Sequence, residues 1–221
     1  MKIYAVRHGQ TIFNVLDKVQ GWADTPLTEK GIADGQSAGQ RLAHVKFDAA
    51  YASDTSRAIH TAEFILQENQ YRQPRLDFTP DWREYYFGSF EGGDNAVMWG
   101  SVARYFDMDT VKSDDIALAH NMTEIMDVRQ QVDPQRMGEN AEIFWQRMRA
   151  SLRHLQDHNT TDATDATILL VSHGQLIWNL AQYFGHFKEA KRPQNGSVAV
   201  FDLNDNGELR VEHFNDLTTT F

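Results

Sequence analysis

The sequence predicts an α/β protein: a three-layer α/β/α sandwich with a mostly parallel sheet, a C-terminal antiparallel hairpin and a helical insertion over the site. Three observations predict it. Short apolar, β-branched runs alternate along the chain with longer stretches of helical periodicity. Ile168-Leu169-Leu170-Val171 is a continuous apolar run, as expected of a strand buried on both faces. Near the end, Asn204-Asp205-Asn206-Gly207 separates two strand-like segments, a hairpin signal.

Taken in order, Ile3 to Val6 reads as a short buried strand that Gly9 ends. Glu29 to Leu42 suits a helix with Thr28 as its N-cap. Phe47 to Ala52 reads as a second strand, and a helix capped by Ser53 or Asp54 follows to about Leu66. Arg75 to Thr79 reads as a third strand. From 93 to 138 the chain is polar and acidic but carries Trp99, Tyr105 and Phe106, too aromatic for a linker. It is expected to be a cap-like helical insertion within a single domain spanning 1–221. Glu139 to His158 is a strong amphipathic helix, residues 160–167 a surface loop, and Gln175 to Phe184 a helix. Ser197 to Leu203 and Glu208 to Phe214 form the terminal hairpin.

Composition narrows the function. Lys+Arg number 21 against 31 Asp+Glu, a formal charge of -10, which disfavours nucleic acid and anionic membranes as partners. An anionic ligand would need basic residues that converge locally against this field. The absence of Cys excludes disulfides, thiol catalysis and Cys-based zinc sites. The apolar run before Arg7-His8 is too short for a signal-peptide core, and no run approaches membrane-spanning length. A soluble cytoplasmic protein is expected, and a homo-oligomer is compatible with this composition.

The chemistry-bearing positions begin with an echo. Val6-Arg7-His8-Gly9-Gln10 and Val171-Ser172-His173-Gly174-Gln175 are each an apolar strand that ends in His-Gly and runs toward a helix. Ligands of open α/β sheets sit beyond the carboxyl ends of the strands, so both imidazoles should share one rim. Two unrelated core histidines would not need the matched context. Arg57, just inside the helix after the second strand, should reach the same rim and join Arg7 as a pair able to grip phosphate oxygens. A surface salt bridge is the commoner fate of a lone arginine. Glu84 lies in an aromatic stretch, Trp82-Arg83-Glu84-Tyr85-Tyr86-Phe87, where partial desolvation would raise its pKa toward that of a useful acid.

Nucleotide-binding glycine loops and the His-Glu-x-x-His zinc motif are absent. His154 and His158 stand at helical i, i+4 spacing without a third ligand in view, and read as cations near a helix end. Asp107, Asp109, Asp114 and Asp115 lack calcium-loop spacing and read as a solvated acidic segment.

Arg7-His8-Gly9-Gln10-Thr11 with Asn14 resembles the signature of the histidine phosphatase superfamily, the phosphoglycerate mutase-like proteins. The resemblance continues through Gln20-Gly21-Trp22, Pro26-Leu27-Thr28-Glu29-Lys30-Gly31, Tyr51-Ala52-Ser53-Asp54 with Arg57, Gly138-Glu139-Asn140 and Val171-Ser172-His173-Gly174, in family order. It implies that His8 is the nucleophile and that Arg7, Arg57 and His173 bind the transferring phosphoryl group. Asn14, Gln20, Gly21 and Gly174 would complete the phosphate and substrate contacts. Glu84 would be general acid, then base for water. The implied activity is metal-independent hydrolysis of a small phosphorylated metabolite, with no cofactor. Glu84 to Gly92 looks like the phosphatase branch; the alternative is a cofactor-dependent phosphoglycerate mutase, which shares the same residues. A third reading is a phosphoester-binding module without turnover. The insertion at 93–138 matches no subfamily pattern.

Overall fold

A computed structural model describes residues 1–159, 166–188 and 191–221. The sheet begins with β1 (Lys2–Arg7), which leads through a single turn, α1 (Ile12–Val15), to α2 (Glu29–Arg41). Thr28 caps α2 as expected, its hydroxyl accepting the Gly31 N–H. Then come β2 (Ala49–Ser53), α3 (Ser56–Glu68) and β3 (Leu76–Thr79). The N-cap of α3 is Thr55, not Ser53 or Asp54. Asp54 instead forms a bidentate pair with Arg83, at 2.6 and 2.7 Å, and this removes it from capping.

The region 93–138 holds α4 (Asn95–Tyr105), α5 (Ser113–Ala119) and α6 (Met122–Val132). Helix α7 (Ala141–His158) starts two residues later than its periodicity suggested, because Asn140 accepts the Ile143 N–H as N-cap. The Glu139 carboxylate is engaged instead by Arg147 and the Tyr86 N–H. β4 (Thr167–Ser172) and α8 (Gly174–Asn179) follow, and α8 widens into a π-helical turn over Leu180–Phe184. β5 (Val198–Leu203) and β6 (Leu209–Asp216) close the chain through the expected hairpin, whose Gly207 takes φ +81°. Most of the expected surface loop, 160–165, lies outside the described residues.

The sheet order is β3-β2-β4-β1-β5-β6. The first four strands are parallel; β5 runs antiparallel to β1, and β6 to β5. Strand alternation divides the core into two layers. Ile3, Ala5, Ile168, Leu170, Ala199 and Phe201 face α7, α8 and the insertion, while Val6, Leu169, Val171, Val198 and Val200 face α2 and α3. The predicted three-layer sandwich is therefore the observed one. Met98, Trp99, Val102, Ile116, Ile125 and Met126 of the insertion share one continuous apolar cluster with the first of these layers. Helix α6 is thereby fixed against Tyr85 and the start of α8, beside the carboxyl ends of the parallel strands.

Candidate active site

Register brings the two histidines together. Arg7 lies opposite Ser172 in the β1–β4 ladder, and the His8 N–H donates to the Ser172 carbonyl at 2.9 Å. The residues after each strand, His8 and His173, therefore stand side by side, with ring centroids 5.2 Å apart and planes at 64°. Both are buried, at 4% and 1% exposure. Gly9 permits the packing beneath: a Cβ there would sit 2.0 Å from the Gly31 carbonyl oxygen.

Their tautomers follow from their partners. His8 Nδ1 lies 2.8 Å from the Gly9 carbonyl, which can only accept, so Nδ1 carries the proton and Nε2 presents a lone pair. His173 Nδ1 lies 3.1 Å from Arg57 Nη2, which can only donate, so here Nδ1 is the acceptor and Nε2 carries the proton. That Nε2 is buried and has no partner. Burial, then Arg57 and Arg7, hold His8 well below the ordinary imidazole range; burial, Arg57 and His8 do the same to His173. Both rings are thus neutral near pH 7.

Arg57, wholly buried on the first turn of α3, spends Nη1 on the Ala23 carbonyl and Asp24 at 2.9 Å each. Its Nη2 goes to the Gly21 carbonyl at 2.6 Å and to His173, leaving Nε without a partner. Arg7 donates through Nη1 to the Pro193 carbonyl at 2.7 Å and also leaves Nε unpartnered. Burial lowers its pKa to about 10, so it stays a cation at neutral pH. Gly174 makes room for this guanidinium: a Cβ there would lie 3.0 Å from Arg7 Nε.

Asn14 Oδ1 accepts from the Thr11 N–H and from Asn195 Nδ2, both at 3.1 Å, so its NH2 is the end left for a ligand. Gln20 braces the loop instead, its amide spanning Thr11 and Thr25. Gly21 approaches backbone so closely that a Cβ would meet the Tyr85 carbonyl at 2.2 Å.

Glu84 is 6% exposed between the buried Trp82 and Tyr85. Its Oε1 accepts the N–H groups of Tyr85 and Leu176 at 3.0 and 2.8 Å, and Oε2 accepts that of Gln175 at 2.8 Å. Oε2, with one donor fewer, is the oxygen with room for a proton. Burial raises the Glu84 pKa, outweighing these N–H donors and the cations Arg192 and Arg7. A buried acid thus faces the start of α8, one turn from His173.

Several supporting residues were not singled out from sequence. Asn195 Nδ2 donates to the His8 carbonyl at 2.9 Å as well as to Asn14; the Asn195-Gly196 pair was a turn signal that could have drawn notice. The Glu91 carboxylate gathers the N–H groups of Gly21, Trp22, Ala23 and Phe87. Asp24 neutralises Arg57 and accepts the Ser56 N–H. His154 and His158 stack on each other at 4.0 Å, and His158 Nδ1 bonds the His154 carbonyl. Among the described residues, no three His, Asp or Glu are grouped to hold a metal. Also among them, no helix is long and apolar enough to cross a membrane.

The family model of the histidine phosphatase superfamily, branch 1, matches residues 3–217. The chain belongs to this superfamily. A 2,3-bisphosphoglycerate-dependent phosphoglycerate mutase 2 of Lactiplantibacillus plantarum is 28% identical over 226 residues, covering 92% of this chain and 94% of that protein. An adenosylcobalamin/alpha-ribazole phosphatase of Salmonella typhimurium is 41% identical over 91 residues, 41% of this chain and 44% of that one. Among solved structures, the phosphoglycerate mutase of Bacillus anthracis superposes with a TM-score of 0.89 at 31% identity, covering 98% of this chain and 93% of that one. That coverage takes in the insertion, so 93–138 does have a structural counterpart within the superfamily. The superfamily relatives include both phosphatases and mutases.

Proposed function

We propose that the chain is a phosphomonoester phosphatase working through a phosphohistidine on His8 Nε2, with Glu84 as general acid and base. One observation carries this reading. The lone pair of a neutral, buried imidazole stands beside three partnerless donors, His173 Nε2–H, Arg57 Nε–H and Arg7 Nε–H. These match what a phosphoryl group needs as charge spreads over its equatorial oxygens.

In the first step His8 Nε2 bonds to phosphorus, the bond from phosphorus to the alcohol oxygen breaks, and the Glu84 proton passes to that oxygen. The alcohol leaves. In the second, the Glu84 carboxylate takes a proton from water, the water oxygen bonds to phosphorus, and the P–N bond breaks. Inorganic phosphate departs, and Glu84 is again protonated for the next turnover. Arg7, Arg57, His173 and Asn14 bind the phosphoryl group in both steps; the small phosphorylated metabolite supplies it.

A second reading, phosphoglycerate mutase, is favoured by the full-length similarity to the Lactiplantibacillus plantarum protein and the Bacillus anthracis structure. Hydrolysis is preferred because Glu84 to Gly92 resembles the phosphatase branch. The two separate in one assay. Labelled phosphomonoester is supplied with excess phosphoglycerate and a chelator, and free phosphate is counted against phosphoryl transfer. Phosphate release that dominates and persists in chelator supports the phosphatase; transfer exceeding release supports the mutase.

A further inference from the structure

A second cationic site lies beyond Glu84. Arg129, on α6, is 2% exposed and leaves Nε and Nη2 buried without partners. Its Nη1 donates to Gln175 Oε1 at 3.1 Å, and its guanidinium lies 4.4 Å from the Tyr85 ring centroid and 5.2 Å from that of Trp99. Arg192, from the segment before β5, is partly buried; its Nε and Nη2 are likewise buried and unpartnered, and it lies 4.9 Å from the same Trp99 ring. Among the described residues, neither arginine forms a salt bridge with a carboxylate.

Aromatic faces hold both cations by their quadrupoles while leaving N–H groups free. Burying a guanidinium with unmet donors is costly, so a site keeping two of them is built to receive an anion. Their placement fixes where that anion lies. Gln175 ties the two ends together, since its N–H binds the Glu84 carboxylate and its side chain binds Arg129. Arg192 feels the charges of Glu84 and, at the edge of the site, Asp114, while Arg129 and Arg7 both feel Arg192. Glu84 is thus tied through Gln175 to Arg129, and the charges of Arg7 and Arg192 both reach it.

We infer that Arg129 and Arg192 form a subsite for a second anionic group, a carboxylate or a phosphate, carried on the alcohol of the phosphomonoester. This rests on the proposed reaction, because the oxygen that Glu84 protonates is the one joining the two halves of such a substrate. At neutral pH both arginines are charged, Arg129 with a pKa lowered by burial to about 10.

A matched series tests it: phosphoglycolate, ethylene glycol monophosphate and ethylene glycol bisphosphate, whose far ends are a carboxylate, a hydroxyl and a phosphate. The expected kcat/KM is about tenfold or more higher for an anionic ester than for the hydroxyl ester, and which of the two leads names the anion. In Arg129→Met and Arg192→Met that preference collapses toward unity. A general folding defect would lower all three rates and leave the ratio intact. Arg192→Met is the safer variant, since its residue is only partly buried. Equal rates in the native chain, or a preference that survives both substitutions, would overturn the subsite. Calorimetric titration of the same esters into His8→Ala separates the two proposals. An anion preference in binding that the methionine variants abolish upholds the subsite even if no ester is turned over, and binding without preference sinks it even if hydrolysis is rapid.

Discussion

The two His-Gly strand ends are nearly the same in sequence and opposite in chemistry. His8 and His173 leave adjacent parallel strands at the same level, both buried and both held neutral. What separates them is the atom against Nδ1. A carbonyl from Gly9 forces the proton onto Nδ1 of His8 and bares its Nε2; a guanidinium from Arg57 forces the proton onto Nε2 of His173 and makes it a donor. One imidazole becomes a nucleophile and the other an electrostatic clamp. A repeated motif therefore does not imply a repeated role, because the partner of the distal nitrogen assigns the role.

Replacing His8 with Asn should break the comparison most severely. Phosphoenzyme formation should vanish and turnover should fall on the order of 10^4-fold or more, read by alkaline denaturing quench with labelled ester. The Arg57→Met change removes the group that sets the His173 tautomer and one of the orphan donors. Turnover should drop roughly 10^2- to 10^3-fold. NMR titration should show both imidazoles protonating at higher pH than in the native chain, since Arg57 lowers both.

Glu84→Gln keeps the shape of the acid without its proton. For esters with poor leaving groups, phosphoenzyme formation should slow by about 10^2-fold or more. The pH profile gives the sign. His8 must be neutral, which holds above its lowered pKa; Glu84 must be protonated, which holds below its raised one. The rate of phosphoenzyme formation should therefore fall on the alkaline side as Glu84 deprotonates. That limb should flatten in the Gln variant, and a native alkaline limb unchanged by the substitution would remove Glu84 from the role. The smallest effect is expected from Asn195→Ala. It frees the His8 carbonyl and Asn14 from their shared donor, and about 1–2 kcal/mol of transition-state stabilisation should be lost, seen in kcat/KM.

The fold was legible because the periodic signals were strong and local. Ile168 to Val171 declared a central strand, Asn204 to Gly207 a hairpin, and Thr28 a helix start, and each stands where expected. The cap of α3 was misread because Asp54 has a stronger partner, Arg83, brought near only by the folded chain. The two histidines, Arg7 and Arg57 drew notice because they sit at strand ends and a helix start, whereas Glu84, in the loop after Trp82, was marked only by its aromatic neighbours and by the resemblance. Asn195 left only a turn signal and Glu91 none, since their partners, His8 and Asn14 for the one and chiefly the Gly21–Ala23 backbone for the other, are brought near only by folding. Arg129 did leave a trace: it falls on the same stripe of α6 as Met122, Ile125 and Met126, a position where a charge is out of place unless something needs it. The tautomers were invisible to sequence, since each depends on a single distance.

Locating the trapped phosphoryl group tests the central claim most directly. The phosphoenzyme formed from 32P-labelled ester would be quenched and mapped to a peptide, and the bonded nitrogen identified by phosphorus–nitrogen coupling in a 15N-histidine-labelled sample. The structure predicts phosphorus on Nε2 of His8. Phosphorus on Nδ1 of His8, or on His173, would contradict it.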